Sequence, residues 1–111
     1  MHILGIDARK NELWACLLSD DKEKHLGAFP NSELGVGWML AWVNQYTPIG
    51  DVQICIESDT WEARTCTRTL KKQGCQVSMQ RPPMAQLTPF DTPPMQAELM
   101  ALLGMEKALK A

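Results

Sequence analysis

The chain has no excess of basic charge, no long apolar run and no paired cysteines. Lys and Arg number 11 against 13 Asp and Glu, a formal net charge of −2. No global positive field therefore draws in nucleic acid, which counts against a strong, autonomous DNA- or RNA-binding module. No segment approaches the roughly 18 continuous apolar residues of a membrane span, so no membrane partner is expected. The opening residues lack the layout of a secretory signal, and a cytoplasmic location is expected. The four cysteines, Cys16, Cys55, Cys66 and Cys75, form no C-x-x-C pair and sit in or beside apolar runs. Core packing under reducing conditions is their expected role, and a zinc site is not expected. Internal repeats and low-complexity tracts are also missing.

What remains is ordinary for a globular chain. The 111 residues are 45% apolar and 22% charged, enough for one domain over 1–111 with a single core. "HILGIDA" (2–8) and "ELWACLLS" (12–19) read as strands, and the short polar link "RKN" joins them as an antiparallel hairpin. "HLGAFP" is a weaker third strand ended by Pro30. The period then changes. Leu34, Trp38 and Trp42 recur at i, i+4 and i+8, with Met39, Val43 and Tyr46 beside them. That stripe predicts a helix capped by Asn31 or Ser32, its tryptophans packed in the core rather than stacked on bases.

"VQICIES" is apolar on both faces, as a central parallel strand is. "DTWEARTCTRTLKKQG" reads as a second helix, opened by Asp59 or Thr60 and closed by Gly74. On it Arg64, Arg68, Lys71 and Lys72 fall at helical spacing, as a solvated face or a weak phosphate contact. "CQVSMQ" is a last strand, 82–92 a proline-rich loop, and 93–110 a helix started by Thr92 and Pro93 and ended or bent at Gly104. The order β-β-β-α-β-α-β-α predicts an α/β fold with a mixed five-stranded sheet, ordered 3-2-1-4-5. The exposed third strand and the apolar last helix invite self-association.

One feature of the opening run asks for more. Asp7 ends its most apolar stretch, either as a simple turn residue or as half of a carboxylate pair. The sheet order sets it beside Glu57, at the strand ends where open α/β sheets place their sites. Strands about 4.8 Å apart bring the two acids to roughly 5 Å. At that distance like charges repel by about 3 kcal/mol at an effective dielectric near 20. A bridging cation, a shared proton or splayed side chains must relieve that repulsion, and a cation would begin a phosphodiester-cleaving metal site.

"HILGIDARKNELWACLL", "FPNSELGVGWMLAWV" and "ICIESDTWEA" resemble the N-terminal domain of DEDD-type insertion-sequence transposases, relatives of the pilin-gene-inverting recombinase. The resemblance covers nearly the whole chain. It implies the ribonuclease H-like fold of Holliday-junction resolvases, a role in DNA transposition or recombination, and Mg²⁺ or Mn²⁺ held by four acids. Asp7 and Glu57 match the first two as catalytic and metal-binding residues. The last two belong to a T-D-x-x-D-A motif, whose acidic positions here hold Pro93 and Gln96. Asp91 and Glu98 are the candidate substitutes, although Glu98 lies about 200° round the helix from Gln96.

Family transposases also carry a second domain with a nucleophilic serine, which is absent from these 111 residues. With a charge of −2 in place of −4, the resemblance implies at most one weakly held metal and a truncated, inactive domain. Such a domain would retain DNA, structured RNA or full-length transposase subunits as partners. Two alternatives stand beside it. One is an active Mg²⁺-dependent endonuclease or recombinase domain completed by a partner chain or by Asp91. The other is an interaction protein with no nucleic-acid role.

Overall fold

In a computed structural model the protein is described over residues 1–57, 60–80 and 93–110. Strand β1 (His2–Ala8) runs into β2 (Glu12–Ser19) and β3 (Lys24–Pro30), followed by helix α1 (Glu33–Asn44). A single 3-10 turn at Ile49–Asp51 leads into β4 (Val52–Glu57), α2 (Trp61–Lys72), β5 (Val77–Gln80) and α3 (Pro93–Lys110). The sheet order is β3-β2-β1-β4-β5, as the element order predicts. The first hairpin is antiparallel, with Asp7 opposite Trp14 and Ala8 opposite Leu13. β4 pairs parallel to β1 and β5 parallel to β4.

Burial explains the composition of each strand. β1 is central and covered on both faces, so Ile3, Leu4 and Ile6 are fully buried. Each such side chain contributes roughly 1.5–3 kcal/mol when removed from water. One face meets α1 and α2: Leu4, Ile6, Leu17 and Ile56 pack with Val36, Met39, Val43, Cys66 and Leu70. The other meets α3: Ile3, Cys16, Leu18 and Cys55 pack with Ala97, Ala101 and Met105. β3 is an edge strand whose exposure alternates along its length. It is longer than expected, paired with β2 from Lys24 to Pro30.

Close backbone approach sets the position of α3. A Cβ on Gly5 would collide with the carbonyl oxygen of Ala97 and lie 2.8 Å from the Ala101 Cα. A Cβ on Gly104 would strike the Cys55 Sγ and lie 2.8 Å from the Ile3 Cγ2. Gly104 does not end the helix, which continues to Lys110. It serves as a notch that lets α3 sit on the sheet. The order of contacts, Ala97 and Ala101 on Gly5 and then Gly104 on Ile3, runs α3 antiparallel to β1.

The α1 stripe also differs from expectation. Val36, Met39 and Val43 are buried, whereas Leu34 and Trp38 are 63% and 52% exposed. Gly35 meets the carbonyl of Pro30 where a side chain would clash, and this contact rotates the helix away from the predicted phase. Of the Leu34, Trp38 and Trp42 row, Trp42 is the one that packs on the sheet, against Phe29 with ring centroids 5.5 Å apart. Ser32 is the N-cap of α1 and Thr60 that of α2, each accepting a backbone N–H through its hydroxyl.

All four cysteines are free, and Cys16, Cys55 and Cys66 are buried. Burial pushes the Cys66 thiol up to about 12 and the Cys16 thiol, with the Glu98 charge adding to it, up to about 11. Under native conditions near pH 8, the half-buried Cys75 is expected to alkylate well before Cys66. Mass spectrometry with Cys66 modified first would contradict this packing. Gly5→Ala should destabilise by about 3 kcal/mol or more, because backbone rather than a yielding side chain opposes the new methyl. Gly37→Ala, in α1 with open space around it, should stabilise by about 0.5–1 kcal/mol. Urea denaturation of the two variants distinguishes a structural glycine from a dispensable one.

Candidate functional site

The C-terminal ends of β1, β3, β4 and β5 share one edge of the sheet. α1 follows β3 and α2 follows β4, so both helices begin at this edge. The antiparallel course of α3 over β1 brings its first turn there as well. Three helix N-termini thus add partial positive charge to one rim.

Asp7 stands at that rim. The last rung of the β1–β4 ladder is Ile6 opposite Ile56, so the next step sets Asp7 beside Glu57. Side-chain alternation from Gly5 and Cys55 puts both acids on the face that α3 covers. Helix α3 starts at Pro93, and its Ala97 carbonyl meets Gly5, two residues before Asp7 on the same face. Asp91 lies outside the described residues. Glu98 is committed elsewhere: its Oε1 accepts from the Lys24 Nζ at 2.7 Å, tying α3 to the edge strand. Arg64, Arg68, Lys71 and Lys72 are exposed on α2, in a stripe that starts near the rim and runs away from it. None of the four has an ion-pair partner among the described residues.

The nearest charge to Asp7 is one the sequence reading missed. Its side chain is only 5% exposed, and its Oδ2 accepts from the Arg9 Nε at 2.8 Å. The turn holds Arg9 firmly. The Arg9 N–H donates to the Glu12 carbonyl at 2.8 Å, and the Arg9 carbonyl accepts from the Asn31 Nδ2 at 2.8 Å. The Asn31 N–H in turn donates to the Asn11 carbonyl at 3.2 Å. Trp14, opposite Asp7 on the same face, buries an indole N–H that has no acceptor among the described residues. The i, i+2 spacing of Asp7 and Arg9 on a strand was the available signal, as was the hairpin register for Trp14.

Trp61 was missed too. It opens α2 four residues beyond Glu57 and is 70% exposed. Nothing in its sequence neighbourhood separates an exposed tryptophan from a core one.

These groups do not make a metal cage. Among the described residues no three His, Cys, Asp or Glu side chains gather closely enough to hold an ion. Beside Glu57, the polar groups facing Asp7 are a guanidinium and an indole N–H, both donors, whereas hard cations require oxygen acceptors. Among the described residues, two carboxylates are too few to hold two Mg²⁺ ions.

No protein-family model and no curated protein matches the sequence. Among solved structures, the chain is similar to Thermus thermophilus RuvC, with a TM-score of 0.66 at 13% identity over 99% of this chain and 96% of that one. It is also similar to Thermus thermophilus RuvC in complex with Holliday junction substrate, with a TM-score of 0.63 at 14% identity over 100% and 96% of the two chains. The chain therefore has the ribonuclease H-like, RuvC-like fold.

Burial raises the Asp7 carboxyl above its ordinary 3.8, more than the Arg9 hydrogen bond and charge lower it, with Glu12 adding to the rise. The folded state then keeps this proton to higher pH than the unfolded chain does. Between 3.8 and the raised value the folded form binds more protons, so stability falls as pH increases through that window. Urea midpoints from about pH 3 to 7 should show that decline in the wild type relative to Asp7→Asn. Parallel profiles for the two proteins would contradict the assignment.

Proposed function

We propose that this chain is a DEDD-transposase-like, ribonuclease H-like domain that binds nucleic acid without cleaving it. The observation that supports this most is the Arg9 guanidinium on Asp7, the residue matched to the family's first catalytic acid. A metal ion would have to displace a charge-assisted hydrogen bond and, among the described residues, would gain Asp7 and Glu57 in return. Pro93 and Gln96 offer no carboxylate at the remaining two positions. Gln96 supplies at most a neutral amide oxygen, a weak ligand for a hard cation.

Retained binding rests on local surface rather than global charge. The Arg64, Arg68, Lys71 and Lys72 stripe spans about 12 Å of α2 at 1.5 Å per residue, enough to meet two or more backbone phosphates. The exposed Trp61 indole at its upper end offers a face on which a base can stack. A RuvC neighbour of the same fold is described in complex with Holliday junction substrate, which makes branched DNA the first probe to test.

Purified protein is expected to bind four-way-junction DNA in the micromolar range at low salt, and more weakly as salt rises. Neither junction nor duplex is expected to be cut in Mg²⁺ or Mn²⁺ beyond the level of Asp7→Ala. Metal-dependent cleavage abolished by Asp7→Ala would overturn the inactive reading and favour a competent endonuclease. Loss of binding to every DNA and RNA probe, even at low salt, would favour a protein-interaction role instead.

A further inference from the structure

The Asp7–Arg9 pair leaves most of its donor capacity unspent. A guanidinium carries five N–H donors in a planar fork. One of them, on Nε, is used by the Asp7 Oδ2. The four on the two Nη atoms have no partner among the described residues, and the side chain is 45% exposed. Asp7 is buried and the turn backbone is pinned on both sides of Arg9, so the fork is held with its outer edge toward solvent. Lys10 adjoins it at the exposed hairpin tip, and three helix N-termini open onto the same rim.

The geometry points to Arg9 as a phosphate-contact residue: Asp7 no longer binds a cation but orients a built-in one, whose Nη edge takes a phosphodiester oxyanion of a nucleic-acid backbone. A guanidinium matches such an anion in bidentate fashion, where an ammonium acts as a point charge. Glu12 and Glu57 oppose the anion. Lys10 and the helix N-termini favour it, and the direct N–H contacts decide the balance at hydrogen-bond range. The position that a metal would share between protein and phosphate is thereby filled by a side chain. This inference rests on the nucleic-acid reading above and adds to it the contact atoms and independence from metal.

The test is fluorescence anisotropy of labelled four-way-junction DNA across a salt series in EDTA. It compares the wild type with Arg9→Gln, Arg9→Lys and Asp7→Asn, each first checked for native circular dichroism. The wild type should bind in EDTA as well as in Mg²⁺. Arg9→Gln should bind about tenfold more weakly at low salt, and its log–log salt slope should fall by about 0.9, one phosphate contact. Arg9→Lys should keep the slope but lose part of the affinity. Asp7→Asn should weaken binding with the slope retained, because a neutral amide oxygen holds the guanidinium less firmly than a carboxylate does, an effect that a purely repulsive carboxylate would reverse. Wild-type affinity and slope in Arg9→Gln would overturn the inference alone. Binding lost in EDTA and restored by Mn²⁺ would overturn it in favour of a metal. Failure of the wild type to bind under any condition would overturn the nucleic-acid reading itself.

Discussion

A carboxylate held at the buried end of the central strand must be compensated, and in this fold the compensation comes from two residues away. Leaving an ionised Asp7 unpaired among Gly5, Trp14 and the first turn of α3 would cost several kcal/mol. Arg9 offsets part of that cost from within the same hairpin, through a hydrogen bond of 2.8 Å. The choice of counter-ion determines the rest of the rim. A guanidinium supplies donors where a metal would demand acceptors.

The same edge depends on how closely α3 can approach. Gly5 and Gly104 admit helix backbone where any side chain would collide, and Ala97 and Ala101 keep the helix surface flat against them. This packing sets α3 along the face that carries Asp7, and the Lys24–Glu98 ion pair ties the helix to β3. An exposed, solvent-screened pair of that kind contributes little, so the glycine notch rather than the ion pair holds the helix. The sheet face under α3 is thus both a core and the floor of the site, and a change at Gly5 is felt in both.

Much of this architecture is legible in the residues, and its failures have physical causes. Strands β1 and β2 follow from apolar runs and a short polar link, and the parallel β4 from an apolar pattern on both faces. The α1 stripe misleads because hydrophobicity alone sets the expected phase, whereas the Gly35–Pro30 backbone contact sets the real one. Gly104 misleads because glycine punctuates helices in isolation but serves packing when a helix lies on a sheet. At the site, the Ile6–Ile56 rung ends the β1–β4 ladder one step before Asp7 and Glu57, on the strands the element order pairs. Arg9 was visible as an i, i+2 neighbour of Asp7, but attention to acids alone passed over the base beside them. The exposure of Trp61 depends on what covers the start of α2, which local sequence does not encode.

The central claim is that a side chain, not an ion, balances Asp7. Crystals soaked in Mn²⁺ and measured at the manganese absorption edge test it most directly. The account predicts no anomalous density between Asp7 and Glu57, with the Arg9 guanidinium still on the Asp7 carboxylate. An anomalous peak at coordination distance from both acids, with Arg9 swung out into solvent, would contradict it.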